Sequence, residues 1–159
     1  MINLVYLLVI FIVYFIICLL LYNYRKKQII IVHLDSVISN IDIIKKRAKI
    51  YIENNPNKDI NDYIYEHINE QVPVPDGIKK VWDLQNKFYK IIFVSERDEN
   101  LRIPTAKFLN DWNLIGELYM FGSLGDKYAI IPFLQQKGFR INGVIDWSEE
   151  KANLPYKYL

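Results

Sequence analysis

The chain contains a single cysteine, Cys18, and it lies in an apolar stretch near the N-terminus. The rest therefore has no disulfide framework, which suits a reducing compartment without requiring one. Serine and threonine are scarce and no Asn-x-Ser/Thr acceptor occurs. With so few hydroxyl residues, that second absence excludes little. Neither sign of charge predominates: 20 Lys and Arg stand against 18 Asp and Glu, mixed along the sequence. So even a balance calls for no nucleic-acid partner, and the expectation is that no nucleic acid is bound. There is no internal repeat, and no low-complexity tract beyond a general richness in Ile, Asn, Tyr and Lys.

Charge is wholly absent from Leu4 to Leu21. A bilayer core of about 30 Å takes roughly 20 helical residues, and residues 2–24 supply that length as one transmembrane helix. Each central apolar residue favours insertion by about 0.3–0.6 kcal/mol, several kcal/mol in total. The alternatives are a core helix or a cleaved signal peptide. A signal peptide carries a basic leader and a small-residue cleavage site; Met1-Ile2-Asn3 and Tyr22-Asn23-Tyr24-Arg25 offer neither. Arg25, Lys26 and Lys27 follow directly. Basic flanks favour the cytosolic side, so a single-pass membrane protein with its domain in the cytosol is expected.

Residues 28–159 suffice for one domain with one core. Gln28–Leu34 and Lys90–Val94 are short β-branched runs of the kind buried on both faces of a sheet. Leu118–Phe121 and Phe139–Ile145 supply two further strands. Helical spacing is found in Ile41–Ile52, Asp59–Glu70, about 76–87, Ile103–Trp112 and Asp126–Lys137. Lys45, Lys46, Arg47 and Lys49 form a basic face on the first of these, read as solvated or, beside a membrane, as touching anionic headgroups. Strands alternating with helices predict an α/β fold: a Rossmann-like parallel sheet with helices on both faces and a helical insertion over 41–71. In such sheets, chemistry gathers where the strands end.

The strand exits hold His33, Asp35 and Ser36; Ser95, Glu96 and Arg97; Gly122 to Lys127; and Asp146 to Glu149. Their order resembles the haloacid dehalogenase (HAD)-like acid phosphatases of the class B, class C and plant vegetative-storage type. Five segments carry the resemblance: His33-Leu34-Asp35, VPVPDGI, Val94-Ser95-Glu96-Arg97, Lys127 with Lys137-Gly138-Phe139-Arg140-Ile141, and Gly143 with Asp146-Trp147-Ser148-Glu149. A Leu154-Pro155-Tyr156-Lys157-Tyr158 tail is also similar.

The resemblance implies catalytic positions at His33 and Asp35, phosphate contacts from Ser95 and Lys127, and a metal site at Asp35 and Asp146. It also implies that the nucleophile is lost. His33 stands where the family has Asp, and imidazole is a poor magnesium ligand that forms no aspartyl-phosphate. Glu96 replaces a glycine and adds negative charge, and the segment around Asp146 is shortened. The expected protein is a membrane-tethered, catalytically impaired phosphatase-like module that binds or scaffolds. It needs no cofactor, with magnesium bound if activity remains. Its partners would be the bilayer, a phosphorylated ligand and an unidentified protein. Two alternatives stay open: an active magnesium-dependent phosphomonoesterase with an unorthodox nucleophile, and a purely structural membrane protein. His67 reads as a surface residue.

Overall fold

The computed structural model describes residues 4–26, 28–122 and 129–146. The first element, α1 (Leu4–Lys26), is one uninterrupted helix. Its segment Tyr6–Tyr24 is apolar and long enough to cross a membrane, and none of it is buried against the domain. By length and composition alone, a signal sequence passes the same test.

One residue separates α1 from β1 (Gln28–His33), which leads into the domain. The chain continues through β2 (Ser39–Asn40), α2 (Asp42–Asn54), α3 (Ile60–His67) and β3 (Val72–Pro73). Next come α4 (Pro75–Asn86), β4 (Lys90–Ser95), α5 (Arg102–Asp111), β5 (Glu117–Met120), α6 (Ile130–Gln136) and β6 (Arg140–Ile145). Among the described residues these make a mixed α/β structure with a four-stranded sheet in the order β5-β4-β1-β6, every pairing parallel.

Parallel central strands are buried on both sides, so they read as continuous apolar runs. Residues of β1 alternate accordingly. Ile30 and Val32 pack with Ile78 and Val81 of α4 and Leu109 of α5. Ile29 and Ile31 pack with Ile130, Ile131 and Leu134 of α6. The helices thus cover both faces, as the alternating pattern predicts.

A third cluster joins Ile44 and Ala48 of α2, Ile64 of α3, Ile68 and Leu101, seating the helical insertion beside the start of α5. Each insertion helix opens on a side-chain acceptor. Asn40 Oδ1 takes the Asp42 N–H at 2.8 Å, and Asp59 Oδ1 takes the Asn61 N–H at 2.8 Å. Within the VPVPDGI run, Val72-Pro73 pairs antiparallel with Ser39-Asn40. Pro75 then occupies the first turn of α4, where its missing N–H costs nothing. Gly77 sits so close to the β1–β2 turn that a Cβ there would lie 1.7 Å from the Val37 carbonyl oxygen.

The helix expected over Asp59–Glu70 ends at His67, three residues early, with a 3-10 turn over Ile68–Glu70; the other expected boundaries within the described residues shift by one or two residues. The expected helix start at Asp126 lies outside the described residues, as do Ser123 to Lys127, Trp147, Ser148, Glu149 and the Leu154–Tyr158 segment.

Candidate functional site

Parallel strands bring their carboxyl ends to one edge, so His33, Asp35, Ser95, Arg97 and Asp146 all gather there. A tight turn shapes the exit of β1. Ser36 takes the left-handed conformation (φ 69°), its N–H donates to the Ser39 carbonyl at 2.8 Å, and Ser39 N–H returns to Leu34. This turn holds the Asp35 carboxylate against the exit of β4. Asp35 Oδ2 accepts from the Ser95 hydroxyl at 3.0 Å, and Oδ1 accepts from Arg97 Nε at 3.0 Å and Nη2 at 2.7 Å.

Arg97 is almost fully buried. A guanidinium has five N–H groups, and each is engaged here. Besides the two on Asp35, Nη2 donates to Ser39 Oγ at 2.7 Å. Nη1 donates to Gln71 Oε1 at 3.0 Å and Thr105 Oγ1 at 3.1 Å. The Arg97 backbone N–H reaches Ser95 Oγ at 3.1 Å, and Ser39 Oγ donates to Gln71 Oε1 at 2.7 Å. One side chain thereby joins the exits of β1 and β4, the return of the insertion at Gln71, and α5. From sequence, Arg97 falls in a loop and has no role of its own. Its one signal is Ser-x-Arg directly after a buried strand.

His33 occupies the neighbouring position. Its Nδ1 is 3.5 Å from Asp146 Oδ1, with both side chains buried. Its Nε2 is buried without a hydrogen-bond partner among the described residues. The expected site residues therefore fall into two groups at one edge, Asp35 with Ser95 and His33 with Asp146, while Lys127 lies outside the described residues.

Chemically, this arrangement is closed where the phosphatase reading needs it open. Ser95 is completely buried, and its hydroxyl donates a hydrogen bond to Asp35. A cation already neutralises Asp35. Among the described residues no three His, Cys, Asp or Glu side chains come together as metal ligands. Of the two expected metal ligands, Asp35 is held by Arg97 and Asp146 faces His33.

What is open is a cleft of about 200 Å³ on the solvent side of this network. Asp35, Glu96, Arg97 and Asp98 line it from the strand exits, and Lys45 and Asn61 line it from α2 and α3. Its polar groups are mainly acceptors, suited to hydroxyl and amino donors rather than to an anion. Lys45, Lys46 and Lys49 are exposed along α2. Arg47 on the same helix is taken by Glu70 at 2.5 Å; that contact holds the Glu70 carboxyl below its ordinary value, with His67 at 2.6 Å adding to it. Behind them Tyr63 packs between Tyr51 and His67, with ring centroids 4.8 and 4.3 Å away.

No protein-family model and no curated protein matches the chain. Solved structures do share its fold. A chain described as "Structure of Pnkp1/Rnl/Hen1 complex" superposes with a TM-score of 0.56 at 15% identity, over 84% of this chain and 46% of its own. A chain of "Structure of the Pnkp1/Rnl/Hen1 RNA repair complex" gives 0.54 at 18% identity, over 83% of this chain and 42% of its own. This chain spans less than half the length of either, and at such identity the likeness is one of fold.

These findings overturn the expected family. The two structures named are of the Pnkp1/Rnl/Hen1 RNA repair complex and not of an acid phosphatase. The HAD-like phosphatase readings, impaired or active, fall with that, as do the purely structural reading and the exclusion of nucleic acid as a partner. The physical reason is that Asp, Ser, Lys and Gly recur wherever parallel strands end, because they cap helices and make turns. Short matches at strand exits report the architecture rather than the family.

Proposed function

We propose that this chain is a membrane-tethered RNA-binding α/β domain, with single-stranded RNA following α2 and one nucleoside entering the cleft at the strand ends. The observation that carries this reading is the position of Lys45. It lines the cleft and also begins the exposed series Lys45, Lys46 and Lys49. Lysines along a helix contact backbone phosphates, while unstacked nucleosides are recognised through base edges and the 2′-hydroxyl. Asn61, Asp98 and the rim of Asp35 supply the acceptors for those donors. The fold shared with chains of an RNA repair complex supports RNA over other polyanions. Helix α1 would hold the domain at a bilayer, with Arg25-Lys26-Lys27 favouring the cytosolic side.

Photocrosslinking tests this reading. Full-length protein in detergent is irradiated with single-stranded RNA carrying 4-thiouridine, and the crosslinked peptides are mapped. Crosslinks concentrated in residues 42–61 and 96–98, and abolished by K45E/K46E/K49E, are expected. Crosslinks absent or spread evenly over the domain would overturn it.

A further inference from the structure

The same parallel topology that gathers the strand exits at one edge gathers the strand entries at the other. That second edge adjoins α1, since a single residue separates Lys26 from β1. The helix-to-strand turns there are 87–90, 112–117 and 137–140. Their charged residues are Lys87, Lys90, Lys137 and Arg140, against one acid, Glu117. Lys90 is occupied by that acid at 2.5 Å. Lys87, Lys137 and Arg140 are exposed.

Two large apolar side chains project from this charged edge. Phe88 is 66% exposed and Ile115 is 79% exposed. Phe88 also adopts a left-handed backbone (φ 63°), which is unfavourable for a bulky residue. It does not stand alone: Phe88 lines an apolar groove together with Cys18, Leu21 and Tyr22 of α1. Arg140 fixes the other side, donating from Nη1 to the Tyr24 hydroxyl at 2.5 Å with its guanidinium over the same ring.

We propose that this strand-entry edge is a bilayer-docking face fitted to anionic lipid. The proposal rests on α1 spanning a membrane. A bilayer that takes in Cys18, Leu21 and Tyr22 also reaches the ring that lines the same groove, so Phe88 sits at the apolar boundary. Lys87, Lys137 and Arg140 then meet headgroup phosphates, each one strengthening docking by about five-fold on an anionic surface. A six-residue strand at about 3.3 Å per residue holds the cleft roughly 20 Å above this face. The domain thereby stands upright on the membrane with its RNA edge outward.

The test uses the full chain in vesicles. A bimane label is placed at residue 88 by Phe88→Cys in a Cys18→Ser background, and a second protein carries the label at residue 11 by Phe11→Cys. Quenching by a nitroxide on the lipid acyl chain is measured in phosphatidylcholine vesicles with and without phosphatidylserine. Quenching of both labels is expected, with that at residue 88 stronger in anionic vesicles and reduced by K87E/K137E/R140E. Residue 11 quenched while residue 88 is not would overturn the docking face and leave the anchor standing. So would quenching at residue 88 that is indifferent to lipid charge and to the triple reversal. Neither label quenched would mean that α1 does not enter the bilayer, which removes the anchor and the docking face together.

Discussion

Arg97 and Asp35, 62 residues apart in sequence, form an ion pair of 2.7 Å in which the arginine is almost completely withdrawn from water. Such a pair holds only when the charge left over is hydrogen-bonded. Here Ser39, Gln71 and Thr105 take the remaining guanidinium protons, and Ser95 donates to the second carboxylate oxygen. The strand-exit edge is therefore a fixed platform, and the open cleft lies on top of it.

Removing one partner of this pair leaves the other buried and unmatched. Arg97→Met is expected to destabilise the domain by about 3–5 kcal/mol. Arg97→Lys should rescue it only partly, because an ammonium cannot reproduce the planar fork. The double variant Asp35→Asn/Arg97→Met should be less damaged than the sum of the single ones. Urea unfolding of the full chain in non-ionic detergent, followed by tryptophan fluorescence, measures these three variants together with Asp35→Asn alone. Additive effects would show that the two side chains are not coupled.

Gly77→Ala tests the close approach of α4 to the β1–β2 turn. In an open helix this change stabilises by up to about 1 kcal/mol. Here the new Cβ would meet the backbone carbonyl of Val37, which cannot swing aside. A loss of about 1–3 kcal/mol or more is expected. Gly138→Ala meets no atom but has φ +80°, so it should cost about 1–2 kcal/mol through backbone conformation alone. The same unfolding measurement ranks the two.

Acid should act on the strand-entry edge through Glu117. The hydrogen bond from Lys90 holds its carboxyl below the ordinary glutamate value of 4.5, with partial burial opposing and Tyr119 assisting. A carboxyl lowered on folding stabilises the fold fully above its unfolded value and loses that effect as pH falls through its folded value. Glu117→Gln should therefore be less stable than the natural chain near neutral pH, with the difference vanishing in acid. A gap that widens toward low pH would reverse the sign and contradict the pairing with Lys90. Because the pair is partly exposed, salt should narrow the gap as well.

The sheet was legible because fully buried parallel strands leave an unmistakable pattern, Ile29 to Val32 and Ile91 to Val94. The anchor-like helix was legible for a similar reason, an uncharged run of the right length. The two-residue strands β2 and β3 were not, since a pairing of Ser39-Asn40 with Val72-Pro73 has no periodicity to detect. Nor was Arg97 as the hub: its partners come from positions 35, 39, 71 and 105, and only the folded chain brings them together. The cleft was missed because it is made by Lys45 and Asn61 of the insertion as much as by the strand exits. The family reading rested on short matches at the strand exits, Asp35 and Ser95 among them, and such residues recur with the architecture rather than with the family.

The most direct test of RNA recognition is binding by the full chain in nanodiscs, measured by fluorescence anisotropy across a salt series. A short single-stranded RNA should bind more tightly than the DNA of the same sequence. Its affinity should fall with salt, and K45E/K46E/K49E should weaken it and flatten the dependence by about 0.7 in the log–log slope for each phosphate no longer neutralised. Absence of binding, or binding that the three reversals leave unchanged, would contradict the central claim.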